Sequence, residues 1–258
     1  MAVNLSDLAA MGAVQPVAAL VTVALPGDTS VDFVDKFYRG LKRTAERHKV
    51  GFLGGDTVGS SRDIVLSATL LGEADRAQLI KRSGARKGDL IAVCGPLGLA
   101  AAGLEILQQG KAKTAWMNPL LSAFLRPQPQ FSAASVLAAQ HWATSLIDAS
   151  DGLAASVRLL GENSKLGVEV DLESLPVAPA LKRWAAQQDR DPAEYVLHGG
   201  EDYALVFTVQ DIHWPEVKRT IPEARTIGRM VAAQQGYWAI GARRKIQLKG
   251  YGYAHFKK

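Results

Sequence analysis

The stretch that most constrains the fold is Thr144–Ser156, TSLIDASDGLAAS. A short apolar run, Leu146 and Ile147, stops at Asp148-Ala149-Ser150-Asp151-Gly152 and passes at once into a helical repeat of Leu153, Val157 and Leu160. This pattern reads as strand, tight acidic turn, helix. Open α/β sheets place ligand sites where strands end and helices begin. Asp148 and Asp151 are candidate ligands for a hard cation, because magnesium binds through one or two carboxylates plus substrate phosphates. A second reading stands beside it. Ser150 or Asp151 can N-cap the helix, since such side chains accept its orphan N–H groups.

The same alternation runs through the chain. Pro16–Pro26 and Leu205–Val209 are apolar, β-branched strand candidates. Phe33, Phe37, Leu41 and Ala45 predict a helix over 30–49. Short strands follow at 50–56, 63–72, 89–94, 168–172 and 226–230, with a closing hairpin at 238–240 and 245–248. Helices are expected at 99–109, 131–140, 152–160, 179–188 and 214–220, and a helical turn at 192–197. Residues 110–130 are expected to be irregular, with Pro119, Pro127 and Pro129 as breakers. Ser6 or Asp7 is expected to cap an opening helix that Gly12 ends. The chain reads as mixed α/β, with an N-terminal unit over 1–74 and a C-terminal α/β domain over 75–258. Its 258 residues are enough for two domains.

Composition narrows the function. The net charge is +5, from 30 basic and 25 acidic residues, and no basic stripe interleaves with aromatics. That fits anionic small molecules better than nucleic acid. No apolar run is long enough for a membrane span. The single cysteine, Cys94, follows an apolar strand, excludes an intrachain disulfide and fits a cytoplasmic location. The five histidines show no metal-ligand spacing.

Four acidic loops share one design. Asn4–Asp7 opens a helix, Gly54–Thr57 ends a strand, Asp148–Gly152 ends a strand and opens a helix, and Gly199–Tyr203 precedes a strand. Carboxylates beside glycines at element ends fit a multi-magnesium site for a polyphosphate, with glycines letting backbone N–H groups approach the phosphates. Gly95–Gly98 before a helix is either a phosphate contact or a plain turn. Arg82 is either a phosphate brace or a solvated arginine. Tyr203, Trp238 and Tyr253 are candidates to stack on an aromatic ligand.

AVNLSDLAAMGA (2–13), FLGGDT (52–57), KRSGARKGD (81–89), IDASDGL (147–153), GGEDY (199–203) and GYAHF (252–256) resemble the thiamine-monophosphate kinase family in order and spacing. The resemblance covers essentially the whole chain. It implies the two-domain fold of aminoimidazole-ribonucleotide synthetase, a homodimer built through N-terminal sheets, and phosphorylation of thiamine monophosphate by ATP with several magnesium ions. By position it implies Asp7, Asp56, Asp148 and Asp151 as magnesium ligands. It implies Tyr38, Gly55, Asp56, Arg82 and Ser150 as ATP contacts, and Glu201 and Tyr253 as contacts to thiamine monophosphate. Transfer is direct, and the attacking group is already a phosphate, so no general base is assigned. Two departures stand out. The family carries, ahead of NLSDLAAMG, a Gly-Asp-Asp motif and a Ser/Thr-Asp motif that these residues lack, so the N-terminal domain is expected to be incomplete and activity impaired. Gln130 stands where the family has an arginine. The competing expectations are a non-catalytic nucleotide-binding or dimerisation remnant of the same fold, and another kinase or synthetase of the same superfold.

Overall fold

A computed structural model describes residues 1–110 and 114–249. Two sheets organise them. The first has three strands in the order β2-β1-β3. The central strand β1 (Gln15–Pro26) runs parallel to β2 (Gly51–Ser60) and antiparallel to β3 (Val65–Glu73). Helices α1 (Ala2–Ala9) and α2 (Val31–His48) belong to this unit. The start of α2 is fixed by Ser30, whose hydroxyl accepts the Phe33 N–H at 3.2 Å, and its end by Lys49 in the left-handed conformation, φ 56°. Ion pairs Asp32–Lys36 and Asp35–Arg39 line its wet face. Its apolar stripe buries Leu41 against Val21 and Val23, and Ala45 against Leu5, Ala19 and Val50.

The second sheet has seven strands in the order β10-β9-β6-β8-β4-β7-β5. These are β4 (Leu90–Cys94), β5 (Ala143–Asp148), β6 (Gly167–Asp171), β7 (Leu205–Val209), β8 (Arg225–Val231), β9 (Tyr237–Ile240) and β10 (Lys245–Gln247). Every pairing is antiparallel except β6 with β9. The connecting helices are α3 (Leu99–Gln108), α4 (Asn118–Leu125), α5 (Phe131–Ala139), α6 (Leu153–Ser164), α7 (Pro179–Gln187), α8 (Pro192–His198) and α9 (Trp214–Thr220). They cover both faces of the sheet. Ile91 and Val93 of β4 point into a core with Leu153, Val157, Trp184 and Val196, and Ala92 and Cys94 point into a second core with Leu137 and Phe207. That two-sided burial explains why LVFTV of β7 is apolar throughout except for Thr208. Thr208 meets the hydroxyls of Thr144 and Ser145 at 2.6 and 2.7 Å.

Helix α1 joins the two units. Its Leu5 packs in the small core under β1, and its Ala9 in the larger core beside α5. Three local expectations are corrected. Ser6 and Asp7 lie inside α1 and do not cap it. Residues 118–125 form a helix, because Pro119 sits in the first turn, where a missing N–H is harmless. Gly54–Thr57 does not end a strand: β2 runs on to Ser60, with Gly55 paired to Val21.

Candidate active site

Asp148 is the last residue of β5 and is buried, at 2% exposure. Its Oδ2 accepts the Ser6 hydroxyl of α1 at 2.8 Å, and its carbonyl accepts the Ser156 hydroxyl of α6 at 2.8 Å. Burial pushes the Asp148 carboxyl above the usual range. The Ser6 bond opposes that, the Asp7 charge adds to it, and Arg82 opposes it again. Asp7, one helical position beyond Ser6, is itself raised by burial and held back by Arg82. Asp7, Asp148 and Arg82 therefore share one electrostatic neighbourhood built from α1, β5 and the segment before β4.

Residues Gly199–Tyr203 close over the same place. The Glu201 N–H donates to the Ser150 carbonyl at 2.7 Å, and the Tyr203 N–H to the Ala149 carbonyl at 3.1 Å. The Ala149 N–H returns a bond to Ala204 at 2.8 Å. Gly200, Glu201 and Tyr203 all take positive φ, at 72°, 59° and 55°. Tyr203 is buried, and burial with the Glu201, Asp148 and Asp7 carboxylates pushes its hydroxyl up. Sequence order alone left Tyr203 as a stacking candidate; in the structure its ring is enclosed and its hydroxyl lies in the field of the Glu201 carboxylate.

The turn into α6 differs from the capping expectation. Its N-cap is Gly152, φ 94°, and neither Ser150 nor Asp151 caps it. The start of this twelve-residue helix carries no side-chain cap beside Asp148 and Ser150. An uncapped helix start favours anions through its N–H groups and dipole. Asp151 is exposed and Ser150 half-buried at that turn.

A second group lies on the small sheet. A cavity of about 680 Å³ is lined by Tyr38 and Lys42 of α2 and by Phe52, Gly55, Asp56 and Thr57 of β2. That volume falls within the range of small-molecule sites, about 300–1,000 Å³. Gly55 is required there, since a Cβ would lie 1.8 Å from the Val21 carbonyl oxygen. The structure thus gathers Tyr38, Gly55 and Asp56 in one cavity, and Asp7, Arg82, Asp148 and Glu201 around the β5 terminus; the latter four are not among the cavity's walls. Among the described residues no three His, Cys, Asp or Glu side chains gather as a metal-binding group.

Trp238 is placed elsewhere, on β9, with its ring under Lys245 at 4.4 Å and its N–H on the Gln235 carbonyl. Tyr253 and the GYAHF ending lie outside the described residues. Gln130 donates to the Gln128 carbonyl at 2.8 Å. Sequence reasoning passed over Lys42 and took Ser6 only as a helix cap. Lys42 was readable as the residue one helical turn beyond Tyr38. The bond from Ser6 to Asp148 had no sequence signal, because the two residues are 142 apart. No described helix is long and apolar enough to cross a membrane.

This architecture defines a class. Residues 1–74 match the family model described as AIR synthase related protein, N-terminal domain, and residues 86–239 match the corresponding C-terminal domain. Within that class the relatives are specific. The thiamine-monophosphate kinase of Aquifex aeolicus (strain VF5) is 35% identical over 250 residues, covering 96% of this chain and 78% of the relative. The structure of AaThiL complexed with AMPPCP and TMP superposes with a TM-score of 0.86 at 33% identity, over 98% of this chain and 78% of that one. Thiamine-monophosphate kinase from Stenotrophomonas maltophilia K279a gives 0.83 at 34% identity, over 92% and 76%. The chain belongs to the thiamine-monophosphate kinase family.

Proposed function

We propose that this chain transfers the γ-phosphoryl group of ATP to thiamine monophosphate, giving thiamine diphosphate and ADP. The observation that carries the reading is the meeting of Asp7 and Asp148 beside the uncapped start of α6. The relative solved with AMPPCP and TMP supports both substrates.

Two neighbouring carboxylates are both raised by burial, and among the described residues the exposed Arg82 is the cation whose charge acts on both. That donor set fits magnesium, which takes one or two carboxylates and fills the rest of its shell with water and substrate phosphate. Asp7 and Asp148, with Asp151 at the adjoining turn, would hold one ion at the β5 terminus, and Asp56 would hold another in the α2–β2 cavity. When bound, magnesium supplies charge neutralisation of the phosphates. The protein's own groups position the reactants. Tyr38 and Gly55 take the adenine side of ATP, Ser150 and Arg82 its phosphates, and Glu201 and Tyr253 the thiamine phosphate. An oxygen of the thiamine phosphate bonds to the γ-phosphorus while the bond from that phosphorus to the β-phosphate bridging oxygen breaks. The nucleophile is an anionic phosphate, so no side chain need remove a proton. Positioning and electrostatics carry the rate.

A homodimer fits the exposed apolar side chains of the small sheet, Val17, Leu20, Val58, Val65 and Leu71. A cytoplasmic location fits a lone buried thiol. The test is turnover with ATP, magnesium and thiamine monophosphate, following thiamine diphosphate and ADP together. Equal amounts of both products are expected. ATP-analogue binding with no thiamine diphosphate formed would instead make the chain a nucleotide-binding module.

A further inference from the structure

Asp202 is a buried carboxylate that the reaction above does not use. It is 5% exposed and lies between Glu201 and Tyr203. Its two oxygens accept the Gly98 N–H at 2.6 Å and the Ala100 N–H at 3.1 Å. Those donors open α3, whose N-cap is Gly98 at φ 74° with no capping side chain. Helices ordinarily take that cap from a local Ser, Thr, Asp or Asn. Gly98 has no room for one, because a Cβ would lie 2.8 Å from the Tyr195 carbonyl carbon and the Val196 nitrogen. The cap is supplied from more than a hundred residues away instead.

The same residue sits at the middle of a strained run. Glu201 and Tyr203 both adopt left-handed backbone, which residues with a Cβ disfavour. Their N–H groups are pinned to Ser150 and Ala149 on one side. Asp202 pins the run on the other side, through α3. Three fixing points on three consecutive residues hold the backbone from which the Glu201 side chain departs. Strain of this kind persists only where the surroundings over-determine it.

We infer that Asp202 is a positioning residue for the substrate. By capping α3 from the GGEDY loop, it sets the backbone from which Glu201 reaches thiamine monophosphate. This rests on the reading of Glu201 given under the proposed function. It also gives the Gly95–Gly98 turn a role that its sequence left open: the turn presents backbone donors to a carboxylate of the protein itself.

The experiment compares Asp202→Asn, Glu201→Gln and the double variant. The asparagine keeps the shape but turns an N–H₂ toward one backbone donor. Asp202→Asn is expected to raise the KM for thiamine monophosphate on the order of tenfold, as displacement of a positioning group does, and to leave ATP-analogue binding within about twofold. In the Glu201→Gln background the same substitution should have little further effect, because Asp202 acts through Glu201. A folded Asp202→Asn protein with lowered thermal stability and an unchanged KM would overturn the inference and leave a helix cap only. Where Asp202→Asn does not fold, Asp202→Glu, which keeps both acceptors on a longer arm, carries the same readouts. Hydrogen exchange separates this from failure of the functional reading. If the wild-type chain binds no thiamine monophosphate, that reading fails, yet faster exchange of the Glu201 and Tyr203 amides in Asp202→Asn still supports positioning. Unchanged exchange rejects it.

Discussion

The Ser6 hydroxyl donates to Oδ2 of Asp148 across 2.8 Å, joining α1 to the end of β5 with both residues buried. It is one of the polar ties between the small sheet's unit and the large one, and it holds the carboxylate that the functional reading depends on most. Replacing Ser6 by alanine leaves a buried acceptor short of one partner, a loss of about 1–3 kcal/mol. Urea denaturation should show a lower midpoint for Ser6→Ala with an unchanged slope. An unchanged midpoint would mean that water replaces the hydroxyl freely.

Asp148→Asn should separate stability from function. The amide oxygen can still accept from Ser6, and the substitution removes repulsion from Asp7, which now adds to the raised Asp148 carboxyl. Thermal unfolding at neutral pH should therefore be equal or higher, while turnover falls by at least about a hundredfold, as loss of electrostatic stabilisation of a transferring group does. A variant that is active at the wild-type rate would remove Asp148 from the site.

Gly55→Ala should damage the α2–β2 cavity from within. The new Cβ would lie 1.8 Å from the Val21 oxygen and 2.6 Å from the Val21 carbonyl carbon, so β1 and β2 must part. Overpacking of this kind costs about 1–3 kcal/mol. Gly59→Ala, on the same strand, meets nothing within 4 Å and serves as the control. Titration with a non-hydrolysable ATP analogue should show weakened binding for Gly55→Ala and near-normal binding for Gly59→Ala.

Cys94 should be chemically silent in the folded protein. It is fully buried, and burial together with the Glu223 carboxylate, 3.8 Å from Sγ, pushes the thiol up to about 12. Only the thiolate reacts with an aromatic disulfide reagent. At mildly alkaline pH the native chain should release no chromophore, and the denatured chain one equivalent, from its single cysteine. Rapid labelling of native protein would indicate local opening of β4.

Elements were legible where burial is one-sided and local. Phe33, Phe37, Leu41 and Ala45 marked α2 because its stripe faces one core, and the closing hairpin expected at 238–240 and 245–248 is the β9–β10 pair. Pro119 misled because a proline at a helix start and a helix breaker look alike in sequence. Gly54–Thr57 misled for a related reason: glycines that end strands elsewhere here let β2 approach the Val21 backbone in mid-strand. For the site, the motifs named the acids but not their grouping. Which carboxylates meet depends on α1 reaching β5 over a sequence separation of 142, and on a left-handed loop that no local propensity favours.

Asp202 gives the chain a pH dependence with a definite sign. Burial raises its carboxyl to about 7, outweighing the N–H groups of Gly98 and Ala100, which favour the charged form. Unfolded, it titrates near 3.9. Between about pH 4 and about pH 7 the native state therefore holds a proton that the unfolded state has released. Stability from this group is full below the lower value and is lost as pH rises through the upper one, at up to about 1.4 kcal/mol per pH unit. His48 and His198 act oppositely: burial lowers both, so they destabilise the fold as pH falls below the ordinary histidine value. The difference between wild type and Asp202→Asn cancels them. Urea midpoints measured across this window should show wild type losing ground to the variant as pH rises, then running parallel above about pH 8. A constant difference across the window would show that Asp202 is ionised throughout and that its two backbone donors outweigh its burial.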